Sequence, residues 1–168
     1  MAYKIYDGLA WEEERPLMLE KWRQFVQTAD EDMTYVFNCV FLQNPMCETM
    51  MRFDFDEDVS RAYIEEIAAQ IYPMNPLVIY LKNDDIAHSV RQAAAQRPGW
   101  LDTVIDYHTG GAYGKRIGAK GFDGYIRCLE ERQKRELRIL SGLPIGHIVM
   151  DNPQRDWDAA KAELMSIL

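Results

Sequence analysis

Asn75-Pro-Leu-Val-Ile-Tyr-Leu-Lys-Asn-Asp-Asp-Ile86 decides the fold class. Its apolar core, Leu77 to Leu81, is too short for a helix and is closed by Pro76 on one side and by Lys82-Asn-Asp-Asp85 on the other. A short unbroken apolar run between turn signals reads as a strand covered on both faces. Upstream, Val59, Tyr63, Ile67 and Ile71 recur every four residues, with Ile64 and Ala68 widening the stripe. This predicts an amphipathic helix over roughly 57–72, ended by Pro73 and Pro76. Asp54, Asp56, Glu57 and Asp58 fall before or within its first turn, where the helix dipole favours negative charge. Downstream, Asp84 or Asp85 is placed to cap a helix that runs to about Gln96, where Arg97-Pro-Gly-Trp100 breaks it.

Two more apolar runs match the first. Thr34-Tyr-Val-Phe-Asn-Cys-Val-Phe-Leu42 is β-branched and aromatic with a single polar interruption, Asn38, and Gln43-Asn-Pro45 stops it. Ile145-Gly-His-Ile-Val-Met150 is a third candidate strand. Helices are expected around them: over 12–28, where Met18, Trp22 and Phe25 share one face, with Pro16 pushing the start later; over 101–108; over 122–140, before the Ser141-Gly-Leu-Pro144 stop; and over 156–168. Residues 1–10 read as extended or irregular. Strands alternating with helices imply parallel strands joined by crossovers. The expected fold is therefore α/β, a three-layer α/β/α domain with a small parallel sheet, in one unit over 1–168.

The composition bounds the function. A net charge of -8 opposes non-specific binding to nucleic acid or an anionic membrane. There is no apolar stretch of membrane-spanning length and no apolar signal-peptide core at the N-terminus. Cys39, Cys47 and Cys128 are odd in number, scattered and without C-x-x-C spacing, which suits free thiols in a reducing cytoplasm. His88, His108 and His147 stand apart with no i,i+4 partner, so no metal site is expected. Asp54, Asp56 and Asp58 lack the glycine and terminal glutamate of a calcium loop. Met46, Met50 and Met51 beside Cys47 read as the apolar face of a helix rather than a soft-metal site. No serine sits in a G-x-S-x-G context, which leaves serine-hydrolase chemistry without support.

Two groups of side chains are candidates for ligand binding. In open parallel sheets ligands sit beyond the carboxyl ends of the strands. That singles out Gln43 and Asn44 after the first run, Lys82, Asp84 and Asp85 after the second, and Asp151 and Asn152 after the third; the plain alternative for each is turn chemistry and helix capping. Thr109 to Gly121 holds five of the ten glycines, and with Lys115, Arg116, Lys120 and the nearby Arg127 it is the best anion-binding cluster in the chain. It is expected to be a flexible, lid-like segment; the alternative is a solvated basic loop. Arg91, on the preceding helix, has the same two readings.

This order of elements resembles the P-loop nucleoside and nucleotide kinase group from its third strand to its C-terminus. The residues that carry the resemblance are Trp22-Arg-Gln-Phe25 with the run to Leu42 and Gln43-Asn-Pro45; Asn75 to Lys82 with Asp84-Asp-Ile86 opening a helix that includes Arg91; the basic Gly-rich segment at the place of the family's lid; and Gly146 to Asp151 as its last strand. The resemblance implies a nucleotide-dependent small-molecule phosphotransferase using ATP and magnesium. The departure is large: the family's first strand, its G-x-x-x-x-G-K-[ST] loop and its second strand have no counterpart. In Thr109-Gly-Gly-Ala-Tyr-Gly-Lys-Arg116 the first glycine of the pattern is Thr109, the residue after the lysine is Arg116, and a helix rather than a strand precedes it. A domain without that loop is expected to be inactive alone. The gap left in the sheet would be filled by direct pairing of 35–42 with 77–81, by residues 3–6, by an N-terminal P-loop segment or by a second copy. The alternative is a non-catalytic binding or self-association module on the same fold.

Overall fold

The computed structural model describes residues 8–167. Its helices are α1 (Trp11–Thr28), α2 (Gln43–Met46) leading into a π-helical turn (Cys47–Arg52), α3 (Glu57–Ile71), α4 (Ile86–Gln96), α5 (Trp100–Gly110), α6 (Ala112–Arg116), α7 (Gly121–Leu140) and α8 (Trp157–Ile167). Two strands, β1 (Leu77–Lys82) and β2 (Gly146–Asp151), pair in parallel with Leu77 opposite Gly146 and Lys82 opposite Asp151. The domain is mostly helical with a small parallel sheet, an α/β fold in the general sense.

The apolar spacing places the helices as expected. α3 is buried on two sides because its stripe is wide. Ile64 and Ala68 enter the larger core with Met46, Met50, Met51, Leu129 and Ile139, while Tyr63, Ile67 and Ile71 meet Leu19 and Trp22 of α1. Met46, Met50 and Met51 are buried, as a helix's apolar face requires. α1 starts at Trp11 despite Pro16. The Asp56 side chain accepts from Val59 N at 3.1 Å and that of Asp85 from His88 N at 3.0 Å, so the acidic residues before α3 and α4 act as caps. Asp85→Ala is expected to cost about 1 kcal/mol, measured by urea unfolding, from loss of the cap alone.

The run 34–42 corrects the expectation. It is not a strand: among the described residues the sheet holds only β1 and β2, and β1 pairs with β2 alone. The apolar run is used differently. The rings of Tyr35 and Phe37 meet Phe25 of α1 edge-on at 5.1 and 5.0 Å, and Phe37 also meets Trp22 at 5.4 Å, while Val36 between them is 91% exposed. Cys39 then takes a left-handed backbone, φ 70°, and turns the chain into α2. The continuous apolar run thus packs two rings on a helix and forms no ladder. Direct pairing of 35–42 with β1 does not occur, and the proposed pairing of residues 3–6 lies outside the described residues.

The Gly-rich segment is folded. α5 runs to Gly110 and α6 begins at Ala112, with Tyr113 and Gly114 buried. Helix α5, not a strand, runs directly into Gly110-Gly-Ala-Tyr-Gly-Lys115, so its likeness to a phosphate loop has no structural counterpart.

Candidate functional site

The carboxyl ends of β1 and β2 lie together, and the structure gathers Lys82, Asp84, Asp151 and Asn152 there. Lys82 Nζ is 3.0 Å from Asp84 and 2.8 Å from Asp151. Asn152 closes the cluster: its Nδ2 donates to Asp84 at 2.7 Å, its Oδ1 accepts from Asp84 N at 2.8 Å, and its own N–H donates to Lys82 O at 2.8 Å. The bond from Asn152 and then the Lys82 ammonium hold the Asp84 carboxyl below its usual range. Beneath, Gln133 of α7 both donates to and accepts from the Asn83 backbone at 2.9 Å, and Gln154 donates to the Asn83 side chain at 2.8 Å. The polar residues of this edge satisfy one another. Beside it, a pocket of about 270 Å³ is lined by Asp151, Asn152, Arg155, Asp156 and Glu163 among others.

Gln43 and Asn44 are not strand-end residues; they open α2, with Asn44 N donating to Cys39 O at 2.9 Å. They do not join the β1–β2 edge because the strand that would have aimed them there does not form.

The five cations are spread over α4, α6 and α7. Arg91 of α4 lies over the Phe122 ring at 4.6 Å, which sets it beside the start of α7, where Lys120 is the N-cap residue. Arg127 lies six residues into α7, roughly 9 Å along its axis at the usual rise. Lys115 and Arg116 are on α6. The Arg116 guanidinium forks onto Asp54, with Nη2 at 2.9 Å from Oδ1 and Nε on Oδ2. Arg91, Lys115, Lys120 and Arg127 are exposed and have no ion pair among the described residues.

The buried charges lie elsewhere, and the sequence reading passed over them. Within the π-helical turn Thr49 Oγ1 donates to Pro45 O of α2 at 2.7 Å, and Phe53 N reaches back five residues to Glu48 O at 3.1 Å. The turn aims Arg52 at two carboxylates: Nη1 is 3.0 Å from Glu14 Oε2 of α1 and 2.7 Å from Glu48 Oε2, and Nη2 donates to Leu9 O at 2.8 Å. Both glutamates are 2% exposed. Burial, and then the Glu48 charge, push the Glu14 carboxyl up to about 7. Arg52 also lines a pocket of about 380 Å³ with Met51, Asp106, Tyr107, Gly110 and Gly111.

A second buried network joins β1 to α7. Tyr80 donates its hydroxyl to Glu136 Oε2 at 2.6 Å, Arg132 Nε lies 3.1 Å from Glu136 Oε1, and Arg132 Nη1 donates to Cys47 Sγ at 3.6 Å. Burial raises the Glu136 carboxyl, against the pull of Arg132. Burial likewise raises the Cys47 thiol, so Cys47 is not poised as a thiolate nucleophile. Glu48–Arg52 and Arg132–Glu136 both have i,i+4 spacing, which is visible in the sequence, but that spacing is equally common on solvated faces. Only burial distinguishes them.

Comparisons with protein-family models, with curated proteins and with solved structures found no match to this chain.

Proposed function

We propose that this chain is part of a P-loop kinase-like phosphotransferase domain whose phosphate-binding loop is supplied by another segment, and that alone it transfers no phosphate. One observation carries the reading. Two parallel strands end side by side in a polar edge, β1 has no partner on its other side among the described residues, and the apolar run 34–42 lies in no ladder. In the family that 34–42 and β1 resemble, the loop-bearing strand runs between the corresponding two. Such a strand would satisfy the free backbone edge of β1; unpaired backbone groups cost about 1–3 kcal/mol each when buried. Phe41 and Leu42, which end the run, share a core cluster with Val78 and Tyr80 of β1, in keeping with a gap of modest width. The three-layer α/β/α arrangement belongs to this proposal, since it requires the added strand.

The residues present do not fit a magnesium–ATP site by themselves. Asp84 and Asp151 are both turned to Lys82, and no group of three acidic, histidine or cysteine side chains converges among the described residues. The donors for magnesium must therefore come with the supplied loop. The contribution of this chain is the β1–β2 edge and the exposed cations Arg91, Lys115, Lys120 and Arg127, which would lie toward the phosphates.

The test has two arms. The purified chain with ATP and magnesium is expected to show no phosphate release or transfer. The coding sequence upstream of Met1 is expected to contain G-x-x-x-x-G-K-[ST], and co-expression of that segment to give nucleotide binding by calorimetry. Turnover by the chain alone, or an upstream sequence without the motif, overturns the proposal. Self-association is the second reading, favoured by the exposure of Val36, Met33 and Phe37 on one short stretch; light scattering would then show a dimer without any added segment.

A further inference from the structure

The end of α5 and the π-helical turn touch at one residue and part at the next. A Cβ at Gly111 would stand 2.3 Å from the Met51 carbonyl oxygen, so the two backbones meet there with no side chain between them. At Gly110 nothing lies within 4 Å of the Cβ position. The space left open is the pocket of about 380 Å³ walled by Asp106, Tyr107, Gly110 and Gly111 on one side and by Met51 and Arg52 on the other. Its volume falls at the small end of the range for small-molecule sites. One wall is a π-helical turn, a rare form that occurs frequently at functional sites.

The charges of the pocket select the ligand class. Most of the lining is apolar, which suits a hydrocarbon body. Asp106 is exposed and makes no hydrogen bond or ion pair among the described residues, so its carboxylate is open to a ligand. Tyr107 and Gly110 belong to the last turn of α5. The C-terminal end of a helix carries partial negative charge and favours cations, and its last four carbonyls lack intrahelical donors. Arg52 does not reverse this preference, because Glu14 at 3.0 Å and Glu48 at 2.7 Å already answer its charge; it is no open receptor for an anion. We propose that this pocket binds a small organic amine in its ammonium form. The ammonium sits against Asp106 and the end of α5, and an alkyl or aryl body lies along Met51 and Tyr107. The site uses none of the residues of the β1–β2 edge, so it stands apart from the phosphotransfer reading.

Backbone-amide NMR of the full chain, titrated with 2-phenylethylamine at neutral pH and low salt, tests the site. Saturable shifts are expected at Met51, Arg52, Tyr107, Gly110 and Gly111, with millimolar affinity. The neutral analogue 2-phenylethanol should bind about fivefold more weakly, the upper end for a partly exposed ion pair. Asp106→Asn should weaken the amine by about the same factor and leave the alcohol unchanged; because Asp106 is exposed and unpartnered, this variant should keep the parent's fold. Added salt should weaken the amine alone. Gly110→Leu, whose side chain enters the open space, should keep the folded spectrum elsewhere and abolish binding of both ligands. The chain carries a net charge of -8, so non-specific attraction of amines is the rival outcome. Shifts that persist in Gly110→Leu would place the amine elsewhere and overturn the site. So would an absence of saturable shifts at the named amides, phenylacetate binding as tightly as the amine, or Asp106→Asn with the parent's affinity.

Discussion

Replacing Arg132 with methionine should destabilise the protein by about 3–5 kcal/mol, the usual result of removing one partner from a buried ion pair. Methionine fills much of the volume, so the loss measures charge rather than a cavity. Glu136 is 4% exposed and would keep only the Tyr80 hydroxyl. Burial already raises the Glu136 carboxyl against the pull of Arg132, and without Arg132 it would be pushed up further. The variant should therefore be more impaired at higher pH, where the unfolded state gains by ionising the carboxyl, and less impaired in acid. Urea midpoints at pH 5 and pH 8 separate the two regimes. Arg132→Met combined with Glu136→Leu should recover most of the loss, because replacing both partners removes the stranded charge. A single variant within 1 kcal/mol of the parent at pH 8 would mean that the pair is hydrated rather than enclosed.

Gly111→Ala should be strongly destabilising. A Cβ there would stand 2.3 Å from the Met51 carbonyl oxygen and 3.0 Å from its carbon. Both are backbone atoms of the π-helical turn, so no side chain can swing away. Overpacking of this kind costs about 1–3 kcal/mol or more, and thermal unfolding would report it. Gly110→Ala is the control: nothing lies within 4 Å of its Cβ position, and a helical alanine in place of glycine should be neutral or stabilising by up to about 1 kcal/mol. Equal effects at the two positions would contradict the packing of α5 and α6 on the turn. The comparison also separates two uses of glycine in 109–121. A segment whose glycines serve motion should tolerate alanine at both sites in the folded state. One whose glycine serves close approach should not.

Much of the helical layout was legible in the sequence because helices are set by local spacing and local stops. The four-residue recurrence from Val59 to Ile71, the Asp56 and Asp85 caps and the Arg97-Pro-Gly99 break each act within a few residues of themselves. The two strands were legible too, from the short apolar runs 77–81 and 145–150, within one residue of β1 and β2. Thr34 to Leu42 has the same local character but a different fate. A strand needs a neighbour to accept and donate its backbone hydrogen bonds, and no local pattern reveals whether one is present. Here Phe25 and Trp22 took the rings of Tyr35 and Phe37 instead.

The candidate site divides along the same line. Lys82, Asp84, Asp151 and Asn152 were singled out because the ends of parallel strands converge, and they do meet. Gln43 and Asn44 were singled out by the same rule and failed with their strand. The basic residues were visible as charges, but whether each is free or engaged depends on partners distant in the chain; Arg116 finds Asp54 across 62 positions. Glu14, Glu48 and Arg52, and the Arg132–Glu136 pair, looked like ordinary surface charges.

The sequence alone determined the longer helices, two short strands and the acidic net charge, since these depend on composition and near-neighbour periodicity. Tertiary structure alone decided that the run at 34–42 stays out of the sheet, that the glycine at 111 permits close contact with the π-helical turn, and that a few of the many charges are buried. Those outcomes rest on which distant surfaces meet and exclude water, and desolvation is a property of the assembled core rather than of any stretch of chain.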